Sequence, residues 1–144
     1  MNHPQNKRRG YSMLELLVVV AIMMTLAAVA TISYKESQLR TRETAAIQHI
    51  QTLQKAQTQY YAVYRRYAVQ IADLGTDGLI PEHLASGTLG GYQFVIDGDE
   101  GTFRVHARPK PFETAGKRSF YTDETLVIRQ TNQNREALRN DPPF

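Results

Sequence analysis

Glu15 stands at the head of an apolar run, Leu16 to Ile32, whose only polar members are Thr25 and Thr31. A carboxylate in hydrocarbon costs roughly 2.5–3.5 kcal/mol at the centre of a membrane helix and less toward its end, unless a cation meets it. The residues about one turn away, Tyr11, Ser12, Leu14, Leu16, Val18 and Val19, offer none. The simplest cation is the α-amino group made by cutting the Gly10–Tyr11 bond, where a full charge adds to the partial charge of a helix N-terminus. Within one chain that pair competes with water. Between staggered chains in a bundle, Glu15 of one copy meets the Tyr11 nitrogen of the next, and both charges are buried together. Glu15 then acts as a register device, because a slipped packing leaves it unpaired.

The other residues with chemical potential fall into no catalytic or ligand pattern. His3, His49, His83 and His106 lack metal-ligand spacing. With no cysteine, thiol catalysis, cysteine-ligated zinc and disulfides are excluded, while the compartment stays open. Asp97-Gly98-Asp99-Glu100-Gly101 sets three carboxylates in a turn, too few oxygens for a full calcium loop, and reads as a polar hairpin turn. Gly90-Gly91 lacks the Lys-Ser/Thr of a phosphate loop, and no serine elbow occurs. No catalytic residue, metal or cofactor is expected. The net charge of +3 resides in Lys7, Arg8 and Arg9, so the rest of the chain is formally neutral. That is a poor field for nucleic acid. Arg65-Arg66 and Lys117-Arg118 read as solvated faces, and they are the residues that would touch DNA if the protein took it up.

These residues need elements to position them. As a helix, Leu16 to Ile32 spans about 26 Å, close to the thickness of a hydrocarbon core of about 30 Å. Neither Gly nor Pro interrupts the chain between Gly10 and Gly75. Basic residues before an apolar run also describe a secretory signal. Here, however, the run is long and TISYKESQLR continues as helix with no small-x-small cleavage site. A plain anchor with Lys7, Arg8 and Arg9 in the cytoplasm fits the positive-inside rule and leaves Glu15 unexplained.

Beyond Tyr34 the composition turns amphipathic. Ala46, Ile50, Leu53, Gln57, Tyr60 and Tyr64 form one helical stripe, with Arg40, Arg42, Glu43, Gln48, Gln51, Lys55 and Arg65 mostly off it. The spacing predicts one helix from Ser12 to Tyr67, roughly 85 Å long, with Tyr60 and Tyr64 in the core. Tyr60, Tyr61, Tyr64 and Tyr67 read as anchors between helix and sheet rather than as an electron conduit.

After a connecting loop with a single helical turn over Pro81 to Ala85, the period becomes two. Tyr92, Phe94 and Ile96 form one face of a strand, and Phe103, Val105 and Ala107 that of the next, turned by DGDEG. His106 falls on the solvent face. A second pair is expected over Ser119–Tyr121 and Thr125–Arg129, and the polar tail QTNQNREALRNDPPF as an extended surface segment. The fold class is α+β: one long N-terminal α-helix packed against about three or four antiparallel strands. The organisation expected is 1–10 leader, 11–34 apolar half of the helix, 35–70 amphipathic half, and 71–144 loop and sheet.

KRRGYSMLE, Lys7 to Glu15, resembles the signal of type IV pilins and type II secretion pseudopilins. That signal is a basic leader ending in glycine, an aromatic or large apolar first mature residue, and glutamate as the fifth, ahead of an apolar helix. Those places are Gly10, Tyr11 and Glu15. The resemblance implies a prepilin peptidase that cuts between Gly10 and Tyr11 and methylates the Tyr11 nitrogen. It implies subunits held in the inner membrane and then drawn into a helical filament of bundled N-terminal helices. It also implies the pilin fold, a long helix bearing a small antiparallel sheet. Departures are Tyr11 where most pilins have Phe, and Met24 and Ile32 where many have a helix-breaking Gly and Pro. Many pilins tie the C-terminal loop with a disulfide. This chain must hold its tail by hydrogen bonds and packing.

The function expected is that of a structural subunit of a type IV pilus-like surface filament serving adhesion, motility or DNA uptake. Its partners are identical subunits, prepilin peptidase and the assembly machinery. The alternatives are a type II secretion pseudopilin, in a periplasmic fibre, and a single-pass anchored protein whose head binds on its own. Retraction ATPase genes or secretion-channel genes beside the coding sequence separate the first two.

Overall fold

The computed structural model describes residues 10–144, the side chain of Ile32 apart, and divides after Glu36 into two compact units. Helix α1 is a single element, Met13–Tyr64. Ser12 caps it: its Oγ accepts from the Leu14 N–H at 3.3 Å and its carbonyl from the Leu16 N–H at 3.1 Å. The helix ends at Tyr64, short of the expected Tyr67. Arg65 adopts a left-handed φ of 56°, and Gln57 takes over the peptide group of Ala68. The Gln57 amide donates to Ala68 O at 3.0 Å and accepts from Ala68 N at 2.8 Å. Both ends of this fully buried side chain are thereby satisfied, which explains a glutamine in an apolar stripe.

Within Ser37–Phe144, Ala46, Ile50, Leu53 and Tyr60 join one core with Tyr92, Phe94, Ile96, Phe103, Val105, Ala107 and Phe120. Tyr64 does not enter it and is 48% exposed. The early stop of α1 leaves its ring on the rim, 4.4 Å from that of Tyr60. The Asp77 carboxylate beside Tyr64 raises the pKa of that hydroxyl. Tyr61 of α1 stacks on Tyr67 at 4.7 Å, and Tyr67 packs on Phe103 at 4.9 Å, so the tyrosine cluster does tie helix to sheet.

Helix α2 (Ile71–Thr76) was not expected. It starts where the Asp73 carboxylate accepts from Gln70 N at 3.2 Å, and it buries Leu74. Helix α3 (Glu82–Ala85) is the expected single turn, with Pro81 before it. The sheet has five strands, β1 (Thr88–Leu89), β2 (Tyr92–Gly98), β3 (Phe103–Pro109), β4 (Ser119–Asp123) and β5 (Arg129–Thr131), in sequential antiparallel order. The extra strand is β1. Gly90 and Gly91, both with positive φ (62° and 84°), make the two-residue turn that suits the twist of a hairpin.

Strands β2 and β3 alternate as predicted, with Phe94 opposite Ala107 and Ile96 opposite Val105. The second pair is shifted. Residues Thr125–Ile128, expected in a strand, form a loop, and β5 begins at Arg129. Asp123 Oδ1 accepts from Thr125 N at 3.0 Å, Leu126 takes a φ of 62°, and Gln54 of α1 donates to Leu126 O at 3.1 Å. These bonds outweigh the β-propensity of Leu-Val-Ile.

The tail also departs from expectation, because it folds back on the outer face of the sheet. Gln130 N donates to Pro142 O at 3.0 Å and Phe144 N to Ile128 O at 2.8 Å, which covers the edge of β5. Arg139 lies 3.4 Å from Asp123 and 3.3 Å from Glu124. Every residue of β4 is therefore buried, on both faces. Arg135 grips Asp141 through two bonds of 2.6 and 2.8 Å and, with Leu138 N–H, lowers the Asp141 pKa to about 2. A depressed carboxylate stabilises above its unfolded pKa and loses that contribution as pH falls through the folded one. Amide-exchange protection at Gln130 and Phe144 is therefore expected to be full above about pH 4 and to fall toward about pH 2. In Asp141→Asn this step should vanish.

Candidate assembly interface

The apolar half of α1 presents its side chains outward. Met13, Leu14, Leu16, Leu17, Val18, Val19, Val20, Ile22, Met23, Met24, Leu26 and Val29 are all exposed. The segment is long and apolar enough to cross a membrane, by length and composition. An apolar surface of this extent marks contact with lipid or another apolar surface. Its two hydroxyls suit such a place. Thr25 Oγ1 donates to Ile22 O at 2.8 Å and Thr31 Oγ1 to Ala28 O at 2.9 Å, so neither enters hydrocarbon with an orphan donor.

Glu15 lies in the first turn, two residues inside the start of the helix, where an acid favours the positive end of the helix dipole. Among the described residues its carboxylate has no hydrogen-bond or ion-pair partner. Tyr11 and Gly10 precede the helix and are exposed. Lys7, Arg8, Arg9 and His3 lie outside the described residues.

Residues 5–31 match the Prokaryotic N-terminal methylation motif. The chain carries a prepilin-type signal. No curated protein matches the chain. The prepilin signal together with the long apolar helix supports a pilin or pseudopilin subunit, made as a membrane-anchored precursor. It points to a structural role and implies processing by a prepilin peptidase.

The remaining candidates take structural places. Asp99 Oδ1 accepts from Gly101 N at 2.8 Å and Thr102 N at 2.7 Å, which lowers its pKa and turns the β2–β3 hairpin. Asp97 pairs with Arg104 at 2.9 Å. No three metal-binding side chains gather among the described residues. His49 sits edge-on to Phe94 at 5.8 Å, and burial lowers its pKa. His106 is on the outer face as expected, but under the tail and not in solvent. Burial lowers its pKa against the opposing pull of Glu136, whose carboxylate is 3.9 Å away.

Glu43 was placed off the apolar stripe, and Arg118 was read as part of a solvated face. Glu43 is instead buried. It accepts from Lys117 N at 2.9 Å and Arg118 Nε at 2.8 Å, with a second Arg118 nitrogen at 2.8 Å. The available signal was helical phase, since Glu43 falls in step with Ala46 and Ile50. Its partner, from the loop before β4, had no local signal.

Proposed function

We propose that this chain is a building subunit of a type IV pilus-like surface filament. It inserts with Lys7, Arg8 and Arg9 on the cytoplasmic side. A prepilin peptidase cuts between Gly10 and Tyr11 and methylates the new amine. The subunit then leaves the inner membrane by packing its apolar half against other copies. In the filament, Glu15 pairs with the Tyr11 nitrogen of a neighbouring copy.

The observation that carries this proposal is the carboxylate of Glu15, without a partner among the described residues, at the head of an exposed apolar helix inside a prepilin-type signal. A lipid anchor alone gives that acid nothing to do, whereas assembly supplies a cation in the same plane. Removing one member of a buried ion pair costs about 3–5 kcal/mol. In cells lacking the wild-type subunit, Glu15→Val should therefore lower the yield of sheared surface fibres by about two to nearly four orders of magnitude. Valine there lowers the cost of the apolar helix in lipid, so the membrane pool should persist. Wild-type fibre yield from Glu15→Val would show that no such pairing governs assembly.

A further inference from the structure

Among the described residues, the exposed charge of the head unit differs in sign between its two ends, with a basic excess at one and an excess of one acid at the other. Strands β2 and β3 run between them, and hydrogen bonds locate each end along α1. At one end, the Tyr92–Pro109 end of the hairpin, Lys110 N donates to Gly91 O at 2.8 Å and Arg42 reaches Thr114 O at 3.2 Å. Arg42, Lys110 and Lys117 are exposed here, beside Glu113. The other nearby acid, Glu43, is consumed by Arg118. At the opposite end, Asp99 O accepts from Tyr67 N at 2.9 Å, so the β2–β3 turn lies just past the last turn of α1. Asp77, Asp99 and Glu100 are exposed there, with Arg65 and Arg66 as the local cations and Asp97 already paired to Arg104.

We infer that the basic end of one head, around Lys110, docks on the acidic end of another copy, around Glu100. This rests on the filament reading, which brings many identical heads within contact range. Contact of like ends would set charges of one sign together, which disfavours a two-fold pair. Contact of unlike ends is head-to-tail, and such contacts propagate rather than close. The Debye length of about 8 Å at physiological salt confines the attraction to heads nearly in touch.

The test is charge reversal at two exposed side chains, Lys110 and Glu100, that form no hydrogen bond or ion pair among the described residues, in cells lacking the wild-type subunit. Lys110→Glu and Glu100→Lys should each lower the yield of sheared fibres about tenfold, at unchanged amounts of protease-resistant chain in the membrane. The double variant, with the two charges exchanged, should recover to within about twofold of wild type. Wild-type yield from both single variants, or a double variant no better than either, overturns the inference while leaving the filament intact. If Lys110→Glu instead weakens retention of the chain on anionic vesicles and Glu100→Lys changes nothing, the basic end faces lipid and the head-to-tail contact is wrong. Absence of fibres from the wild-type chain would remove the filament reading itself, and this contact with it.

Discussion

Gly10→Val is expected to abolish maturation: the chain accumulates at its uncut mass, and no surface fibre forms. The fold gives this experiment a clean background. A Cβ at Gly10 would meet nothing within 4 Å, so valine there disturbs no packing of the described chain. A block can then be assigned to the peptidase, for which a branched side chain beside the scissile bond is an obstacle. Without the cut, residue 11 has no free amine, and Glu15 has no cation to meet in a bundle. Mass spectrometry of the membrane fraction reads the first effect, and sheared-fibre yield the second. Processing of Gly10→Val at the wild-type rate would remove the cleavage site from the account. Normal fibres made from uncut chains would remove the pairing.

Arg118→Ala is expected to destabilise the head strongly. It leaves the Glu43 carboxylate buried with the Lys117 N–H as its remaining listener. Breaking a fully buried pair in this way costs about 3–5 kcal/mol. The Arg118 side chain is 33% exposed, so water screens part of the loss, and about 2–3 kcal/mol is the expected range. For a unit of this size that lowers the thermal midpoint by roughly 10–20 °C, measurable by tyrosine circular dichroism on the full chain in detergent. The Phe144 ring, 5.6 Å from the guanidinium, should loosen with it. Replacing both partners by methionine should recover most of the stability, because no uncompensated charge is then buried. A shift of only a few degrees in Arg118→Ala would mean that Glu43 is solvated in the folded head.

These experiments address different links between sequence and function. In the proposed function, Gly10 and Glu15 act through what the chain becomes after folding, by processing and by contact with other copies. Glu43 and Arg118 act within the head, where they join the middle of α1 to the loop before β4. The lower part of the head is thus held by a charge pair and its far end by neutral bonds from Gln57 and Gln54. The tail is fastened by Arg135–Asp141 and by backbone bonds to β5. A chain without cysteine therefore closes its C-terminal region with hydrogen bonds and ion pairs.

Elements whose signal is a repeating pattern were legible. The α1 stripe, the alternation of β2 and β3, and the turn at Asp99 all follow from period and from the short-range chemistry of Asp and Gly. The β4–β5 connection was not, because Thr125–Ile128 has the composition of a strand. Its loop is imposed by Asp123 below it and by Gln54, far away in sequence. Tyr64 illustrates the limit of a stripe. Its phase points to the core, but the helix stops under it when Gln57 captures the Ala68 peptide. The tail carries no period at all, and its polar composition suggested a surface segment. It is indeed a mostly exposed segment, but it folds back, and several of its polar groups bond to β3, β5, Asp123 and one another.

The sequence by itself determined the apolar helix, the isolated acid at its head, the prepilin-type signal and the two-faced hairpin. Each depends on residues close together in the chain, where spacing alone sets geometry. Only the tertiary structure decided the burial of Glu43, the double-sided cover of β4 and the separation of charge between the two ends of the head. Those depend on which distant segments meet, and composition cannot register whether a charged or polar group finds its partner across the fold.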